Sequence, residues 1–212
     1  MAYNENVYNS LAGTASSELV AFCASCAERG SAIYAVLGQD DEVQHLNELL
    51  HLGWSVSTGG HPDTDVAGIV EEFEESLDDD EADEESETTF HVTQSAFLLV
   101  NTLAVHLNPD PTRAAMSGRT LESILAGFDF TVSGDKSRTV RPGEDSPTGP
   151  LQQLEQQEQA SFMSEFTDGT GARITPERVA ELRSSCLSAR NRYEEAVRQV
   201  FGRPSEDEAP GR

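Results

Sequence analysis

The apolar residues of this 212-residue chain recur at spacings of three and four over most of its length, and this period constrains the fold most strongly. It places apolar side chains on one face of an α-helix, whereas no alternating run with a hairpin turn, typical of strands, stands out. The clearest case is the segment 176–200, where Thr175 is positioned to cap a helix and Pro176 occupies its first turn. Its apolar residues follow a heptad-like pattern for about three repeats.

The same period predicts six further helices. They span about residues 16–37, 41–59, 64–77, 89–107, 117–128 and 150–166. The helix over 89–107 is apolar almost all round, so we expect it at the centre of a helical bundle. The sequence therefore predicts an all-α fold, a single compact bundle of about seven helices in one domain over residues 1–203. An acidic loop near 78–88, a flexible loop near 133–149 and a disordered tail over 204–212 complete this prediction.

A net charge of −24 is the dominant feature of the composition, and about half of it lies in one run from Glu71 to Glu87. Such a surface repels nucleic acid and anionic lipid and attracts basic proteins. The residues predicted to contact a basic partner are Asp78, Asp79, Asp80, Glu81, Asp83, Glu84, Glu85 and Glu87. The alternative interpretation is a solvated loop or a frayed helix end. The run lacks the ordered spacing and central glycine of an EF-hand calcium site.

The N-terminal residues and the cysteines indicate a cytoplasmic protein. The sequence MAYNENVYNSLAG lacks the basic start and apolar core of a signal peptide, and we find no run of about 18 apolar residues that predicts a membrane span. The chain has three cysteines, an odd number that favours reduced thiols over a disulfide framework.

The stretch CASC, residues 23–26, has the spacing of a redox pair or of half a zinc site. A redox pair is expected at a helix start after a strand, but here about two helical turns precede the cysteines. A zinc site requires two further ligands, and no second CxxC or suitably spaced histidine pair occurs. Cys23 and Cys26 are therefore predicted to be small apolar residues of the core, with Cys186 near them only if the last helix packs there.

Histidine spacing gives little support for a metal centre, and no cofactor is predicted. The five histidines are His45, His51, His61, His91 and His106, and we expect them at surface or capping positions. One Glu-x-x-His motif, Glu42 to His45, has the spacing used in di-metal helical bundles, but a second copy is missing. No P-loop, dinucleotide fingerprint or nucleophile elbow occurs.

Several short motifs resemble a known family. The stretch FCASCAERGSAIYAVLG, which contains Glu28 and Arg29, resembles the F-x-A-x-x-x-E-R-x-x-x-x-Y-A pattern of domain-of-unknown-function family 416, whose members are small bacterial proteins. Further similarities follow in order over 49–54, 73–77 and 117–123. The acidic run is longer here, and the loop over 133–149 looks like an insertion. The resemblance implies a compact helical fold and a soluble bacterial protein, and no activity. Glu28 and Arg29 are either a functional pair or members of interhelical salt bridges.

Three classes of function remain open from the sequence. We favour a non-catalytic interaction protein, such as an immunity protein or antitoxin, that neutralises a basic partner protein. The alternative is a metal-dependent enzyme or metal-binding bundle with a His/Glu site. A third hypothesis is a scaffold in which the last helix forms a homodimer seam, so the chain is expected to be a monomer or a homodimer. On the last helix, Arg183 and Arg190 are expected to pair with carboxylates of a neighbouring helix.

Overall fold

Helices make up the architecture of the protein in a computed structural model that describes residues 3–60, 62–78, 86–133, 148–166 and 174–202. In chain order they are α1 (Glu5–Ser10), a 3-10 turn (Leu11–Gly13), α2 (Ser16–Leu37), α3 (Asp40–Ser57), α4 (Val66–Asp78), α5 (Glu87–Leu107), α6 (Pro111–Ser133), α7 (Pro150–Phe166) and α8 (Pro176–Phe201). No strand occurs within the described ranges, and the predicted all-α bundle is confirmed.

Helix α2 lies at the centre of the bundle. Every residue from Glu18 to Tyr34 is buried, because α5, α8, α3 and α6 surround it. Gly30 allows the closest approach: a Cβ atom there would lie 2.5 Å from Cδ1 of Leu98 on α5. The sequence placed α5 at the centre instead. That expectation was wrong in part, since the middle of α5 is buried while Phe90 and Leu107 at its ends are half exposed.

The small side chains of α2 explain why it, and not α5, is enclosed on all sides. Alanine, serine, cysteine and glycine fill much of its sequence and let several helices approach at once. By length and composition α2 is also the one described helix that is apolar enough to be a candidate membrane span, contrary to our expectation from the sequence. However, 89% of that window is buried inside the protein, and the core helix of a helical bundle gives the same pattern.

The helix ends show what the pattern of apolar residues missed. Helix α6 begins at Pro111, about two turns before the predicted start, because Asp110 accepts a hydrogen bond from the backbone N–H of Thr112. At the start of α2, the Glu18 carboxylate accepts a hydrogen bond from the backbone N–H of Ala15. Helix α1 was not predicted at all, since a segment of six residues is too short to show a helical period.

Helix α8 matches its prediction in bounds and in capping. The Thr175 hydroxyl accepts a hydrogen bond from the backbone N–H of Arg178, and the predicted seam residues Cys186, Ala189 and Tyr193 are buried within the chain's own bundle. These seam residues are therefore covered by the chain's own helices. The loop near 133–149 and the tail over 204–212 lie almost entirely or entirely outside the described residues.

Candidate functional site

The residues predicted to bind a basic partner lie mostly outside the part of the chain that the structure describes. Asp78 is the last residue of α4, and Glu87 is an exposed residue in the first turn of α5. The other six, within 79–85, lie outside the described residues. In the part of the acidic run that the structure describes, Glu71, Glu72 and Glu75 of α4 are exposed. This helix therefore places negative charge on the protein surface.

Glu28 and Arg29 are neighbours in sequence, but each forms an ion pair with a different helix. Arg29 binds Glu155 of α7, whereas Glu28 binds Arg183 and Arg190 of α8. The structure therefore agrees with the interhelical salt bridges expected as one of the two roles of this pair. It also confirms that Arg183 and Arg190 pair with a carboxylate of a neighbouring helix.

The Arg29–Glu155 pair is fully enclosed, with side-chain exposures of 2% and 0%. Nε and one terminal nitrogen of Arg29 donate to the two carboxylate oxygens at 2.8 and 2.6 Å, a fork-like geometry. The Tyr193 hydroxyl and the Gln159 amide donate to the same carboxylate at 3.0 Å each. Burial lowers the pKa of Arg29, but the charge and hydrogen bonds of Glu155 outweigh it and hold that pKa above its ordinary value. The guanidinium therefore stays charged inside the core.

The Glu28 carboxylate lies closer to the surface, between α3 and α8. It accepts hydrogen bonds from the Trp54 indole N–H at 2.8 Å, from Nε of Arg183 at 2.9 Å and from Arg190 at 3.4 Å. A second nitrogen of Arg183 lies 3.3 Å from Nδ1 of the exposed His51. Both arginines are partly exposed. This cluster is therefore the solvent-facing edge of the buried polar interior.

Glu122 of α6 is buried, and the described residues that donate hydrogen bonds to it are neutral. The Tyr8 hydroxyl, the side-chain amides of Gln152 and Gln156, and the backbone N–H of Asn4 all donate to its carboxylate. Burial, together with the hydrogen bond and charge of Glu122, raises the pKa of Tyr8 far above its ordinary value, so the phenol remains a donor. This network ties the N-terminal segment to α6 and α7.

The three cysteines are buried, as predicted for core residues. Burial raises the pKa of the Cys23 thiol to about 12, and burial also raises the pKa values of Cys26 and Cys186 despite the nearby positive charge of Arg29. Two nitrogens of Arg29 lie 3.6 and 3.7 Å from the sulfur atoms of Cys26 and Cys186, so the last helix does pack beside CASC. Thiols held in this protonated state are poor nucleophiles and poor metal ligands.

The residues of the metal hypothesis do not come together. Over the described ranges no group of three or more His, Cys, Asp or Glu side chains is arranged to hold a metal ion. The Glu42 carboxylate accepts a hydrogen bond from the backbone N–H of Gln39 at the start of α3, and His45 is exposed on the same helix. The Glu-x-x-His motif is thus a helix cap followed by a surface histidine.

The remaining histidines lie in two environments. His51 is exposed, while His91 and His106 are half-buried, and His61 lies outside the described residues. His91 contacts the rings of Phe128 and Phe201 with centroids 5.0 and 5.4 Å away, so it is part of an aromatic cluster and not a simple surface residue. Burial lowers the pKa of His91, which keeps its imidazole neutral at pH 7.

His91 also lines a cleft between α5 and α6, which we call the α5–α6 cleft. Its volume is about 430 Å³, and it is lined by Phe90, His91 and Gln94 of α5 and by α6 residues that include Arg119, Ile124 and Gly127. Among the described residues, Nδ1 of His91 and Nε of Arg119 have no hydrogen-bond partner, and the same holds for Oε1 of Gln159 and Nε of Arg190 elsewhere in the bundle. Nothing in the sequence pattern indicated this cleft, because its residues come from two different helices.

Comparison with known proteins adds no relative to this description. No family model, no curated protein and no solved structure matches the chain. The buried carboxylates Glu28, Glu122 and Glu155, the α5–α6 cleft and the acidic face of α4 are therefore interpreted from their own geometry.

Proposed function

We propose that the protein is a non-catalytic interaction protein that binds a basic partner protein through its acidic surface, as an immunity protein or antitoxin does. One observation carries the proposal. Each of the buried carboxylates Glu28, Glu122 and Glu155 accepts at least three hydrogen bonds from groups of the chain itself. A general acid or base must exchange protons with a substrate, and carboxylates engaged in this way are not poised to do so.

The carboxylates that remain available to a partner lie on the outside. Glu71, Glu72 and Glu75, which belong to the acidic run, are exposed along α4. With a net charge of −24, the protein creates a field that accelerates encounter with a basic protein, up to a few orders of magnitude at low salt. Because exposed charges are screened over about 10 Å at 0.1 M salt, this acceleration must fall as salt is added.

The test first captures basic proteins from the native host on the immobilised full chain at low salt, and capture of none would count against the proposal. The purified full chain is then studied with a captured basic protein. The triple substitution Glu71→Gln, Glu72→Gln, Glu75→Gln is expected to slow association by about three- to tenfold at low salt, measured by stopped-flow or surface plasmon resonance. A matched control, Glu177→Gln, Glu181→Gln, Glu195→Gln, removes the same charge from exposed positions of α8 and should change the rate less. Equal effects of the two variants would contradict a specific acidic face, and rates that do not depend on salt would contradict the electrostatic mechanism.

Neutralising the run from Asp78 to Glu87, by Asp→Asn and Glu→Gln, tests the residues predicted from the sequence. We expect the fold to be kept, with a melting temperature unchanged or slightly raised by relief of like-charge repulsion, and binding to the basic partner to weaken. A variant that loses the fold would contradict this expectation. A variant that binds as tightly as the natural chain would restrict the contact to α4.

We also propose that the chain is related to domain-of-unknown-function family 416 and that it acts in the bacterial cytoplasm. Support for the relationship comes from the residues of the shared motifs: Glu28, Arg29 and Trp54 take part in the buried polar contacts that join α2 to α3, α7 and α8. The structure of a family member tests this. A member with a similar motif but without the corresponding buried ion pairs would count against the relationship.

A further inference from the structure

At the solvent-facing edge between α3 and α8, polar side chains of three helices meet around one buried carboxylate. We call this group the Glu28 cluster, and it consists of Glu28, His51, Trp54, Arg183 and Arg190. Two arginines, Arg183 and Arg190, bind the single carboxylate of Glu28. A second carboxylate, that of Glu194, lies 3.5 Å from Arg190, but it also binds Arg198 at 3.0 Å. Three arginines therefore share two carboxylates in one continuous set of contacts.

The composition of the chain does not force this shortage of carboxylates. With 38 acidic and 14 basic residues, there are enough carboxylates for every arginine to have its own. Each described arginine outside the contacts of Glu28 and Glu194 does have at least one of its own. These pairs are Arg29–Glu155, Arg113–Glu74, Arg119–Glu5, Arg178–Glu165, Arg178–Glu181 and Arg192–Glu195. The local excess of positive charge at the Glu28 cluster leaves a place for a negative group from outside the chain.

The two arginines of the Glu28 cluster keep free donors that solvent reaches. Arg183 uses Nε to bind Glu28 and Nη1 to contact His51, and Arg190 uses Nη1 to bind Glu28. Nη2 of each arginine forms no hydrogen bond with the described part of the chain. Neither Nη2 is among the buried atoms that lack a partner, and the two side chains are 31% and 23% exposed. Both nitrogens are therefore within reach of a bound molecule.

The inner side of the Glu28 cluster holds the two guanidinium groups in place before any ligand binds. The Glu28 side chain is 2% exposed, and its carboxylate accepts a hydrogen bond from the Trp54 indole N–H at 2.8 Å. Side chains that are already ordered lose less conformational entropy when a ligand binds. Guanidinium N–H groups form strong, charge-assisted hydrogen bonds with phosphate oxygens. The cluster is therefore preorganised for an oxyanion.

The negative charge of the whole molecule restricts the ligand to a small one. At about 0.15 M salt, charges separated by more than about 8 Å are largely screened, so a small anion responds mainly to the arginines beside it. A nucleic acid or an anionic membrane extends over the acidic surface of a protein with a net charge of −24 and is repelled by it.

We propose that the Glu28 cluster binds a small phosphate monoester whose phosphate oxygens accept hydrogen bonds from Arg183 and Arg190. Leu187 lies one helical turn from each arginine on the same face of α8 and is 47% exposed, so it packs against the apolar part of the ester. Glu28 and Trp54 hold the arginines in place. The site lies on helices other than α4, so it does not depend on the binding of a basic partner.

Trp54 provides the readout, because it is the one tryptophan of the chain and its indole binds the same carboxylate as both arginines. Its fluorescence in the purified full chain is titrated with phenyl phosphate, inorganic phosphate and chloride at constant ionic strength, and calorimetry repeats each titration. Phenyl phosphate is expected to bind with about millimolar affinity, inorganic phosphate about threefold to tenfold more weakly, and chloride without saturation. No binding of phenyl phosphate by either method would overturn the proposal. Equal binding of the two phosphates would overturn the role of Leu187.

Lipid headgroups also carry phosphate monoesters, so vesicles of phosphatidylcholine and phosphatidic acid separate a membrane from a free molecule. The full chain should stay in solution when these vesicles are sedimented at about 0.15 M salt, because its acidic surface is repelled by the anionic lipid. Sedimentation of the protein with the vesicles would overturn the assignment to a free molecule.

Substitutions on α8 assign the binding to the Glu28 cluster. Arg183→Gln and Arg190→Gln each remove one guanidinium and should weaken phenyl phosphate binding by about tenfold. The matched control Arg192→Gln removes the same charge from an exposed position of α8, where the arginine has its own carboxylate, and should weaken binding by less than about twofold. Equal effects at Arg183, Arg190 and Arg192 would overturn the proposal.

Two further kinds of variant keep the test decisive if a glutamine variant does not fold. Arg183→Lys and Arg190→Lys keep the positive charge beside Glu28 but lose the forked donors, so phenyl phosphate binding should fall by about threefold. Leu187→Ser changes an exposed side chain and should remove the advantage of phenyl phosphate over inorganic phosphate. Unchanged binding in all three variants would overturn the proposal.

Discussion

The two sides of helix α2 are packed by different chemistry. Toward α5 the contact is apolar and close, with Gly30 against Leu98. Toward α7 and α8 it combines apolar contacts, such as Phe22 against Phe162, with buried charges, and Arg29 pairs with Glu155 in the interior. Apolar burial contributes free energy wherever surface is covered, whereas a buried ion pair is stabilising only when both partners are present and well placed. We interpret the apolar side as the source of stability and the polar side as the part that specifies which helices pack against α2.

The largest effect is expected from removing one partner of the buried pair. Arg29→Met leaves the Glu155 carboxylate enclosed without its cation, which should lower the free energy of unfolding by about 3–5 kcal/mol. Urea denaturation measures this. The double variant Arg29→Met, Glu155→Gln should lose less than Arg29→Met alone, because a neutral amide tolerates burial and still accepts a hydrogen bond from Tyr193. A double variant that is no more stable than Arg29→Met would contradict the interpretation.

A similar loss of unfolding free energy is expected from a substitution on the apolar side of α2. No second substitution of a partner residue should restore it. Leu103 of α5 is completely buried, so Leu103→Ala should cost about 2–5 kcal/mol through lost burial and the cavity left behind. Leu107→Ala on the same helix is the matched control, since Leu107 is 48% exposed. Its cost should be several times smaller in the same denaturation experiment. Equal costs would mean that the middle of α5 is not the apolar support of α2.

Two glycine substitutions are expected to have smaller effects on stability, and the two effects should be opposite in sign to each other. Gly30→Ala forces a methyl group against Leu98, where a Cβ would lie 2.5 Å away, and should destabilise the fold by about 1–3 kcal/mol. Gly127→Ala adds a methyl group to open space within α6, so the higher helix propensity of alanine should stabilise the fold by up to about 1 kcal/mol. Thermal unfolding of both variants checks this. A Gly30→Ala variant that is not destabilised would show that the α2–α5 contact is not as close as described, and a destabilised Gly127→Ala variant would contradict open space at that position.

The polar side also predicts a loss of stability at alkaline pH. Burial, with the charge of Glu155 as the next cause, raises the pKa of Tyr193, and burial raises the pKa of Tyr34 from its ordinary 10.0 to about 12. Such a group contributes stability that is complete below its unfolded pKa and is lost as pH rises toward the folded pKa. Stability should therefore fall above about pH 10, by up to about 1.4 kcal/mol per pH unit for each tyrosine.

Tyr193→Phe is the variant that assigns part of this slope. It should make the decrease in stability between pH 10 and pH 12 shallower, since one of the shifted groups is removed. Denaturation at a series of pH values, followed together with tyrosinate absorbance, measures the slope. If Tyr193→Phe and the natural chain lose stability at the same rate, Tyr193 does not titrate from a buried position. The buried thiols add to the slope in both proteins and do not affect the difference.

Helix positions were predictable from sequence because a helix that buries one face needs apolar residues at spacings of three and four. This spacing is visible in a single sequence. The bounds of α2, α7 and α8 and the core role of Cys23 agree with prediction. Capping by Asp110 at α6 and the short helix α1 were missed, because they depend on single hydrogen bonds and not on repeated spacing.

The buried charges were less predictable than the helices. Arg29 and Glu155 are separated by 126 residues, and nothing in either local sequence distinguishes a carboxylate that faces a cation from one that faces solvent. The 430 Å³ cleft between α5 and α6 was not predictable for a related reason. A cleft is a property of two helices at a given distance, and that distance is set by packing elsewhere in the bundle.

The hydrogen bonds of Glu122 imply an order of events during folding. Asn4 and Tyr8 reach this carboxylate across 118 and 114 residues of chain, and the Asn4 side chain reaches the carbonyl oxygen of Gln156 across 152. Closing such long loops costs entropy before any contact forms, and their docking surface exists only once α6 and α7 have met. We therefore expect the Asn4 amide to gain protection from hydrogen exchange after those of α2 in a pulse-labelling experiment. Residues 4–8 are synthesised early, but they are among the last to pack against the rest of the chain.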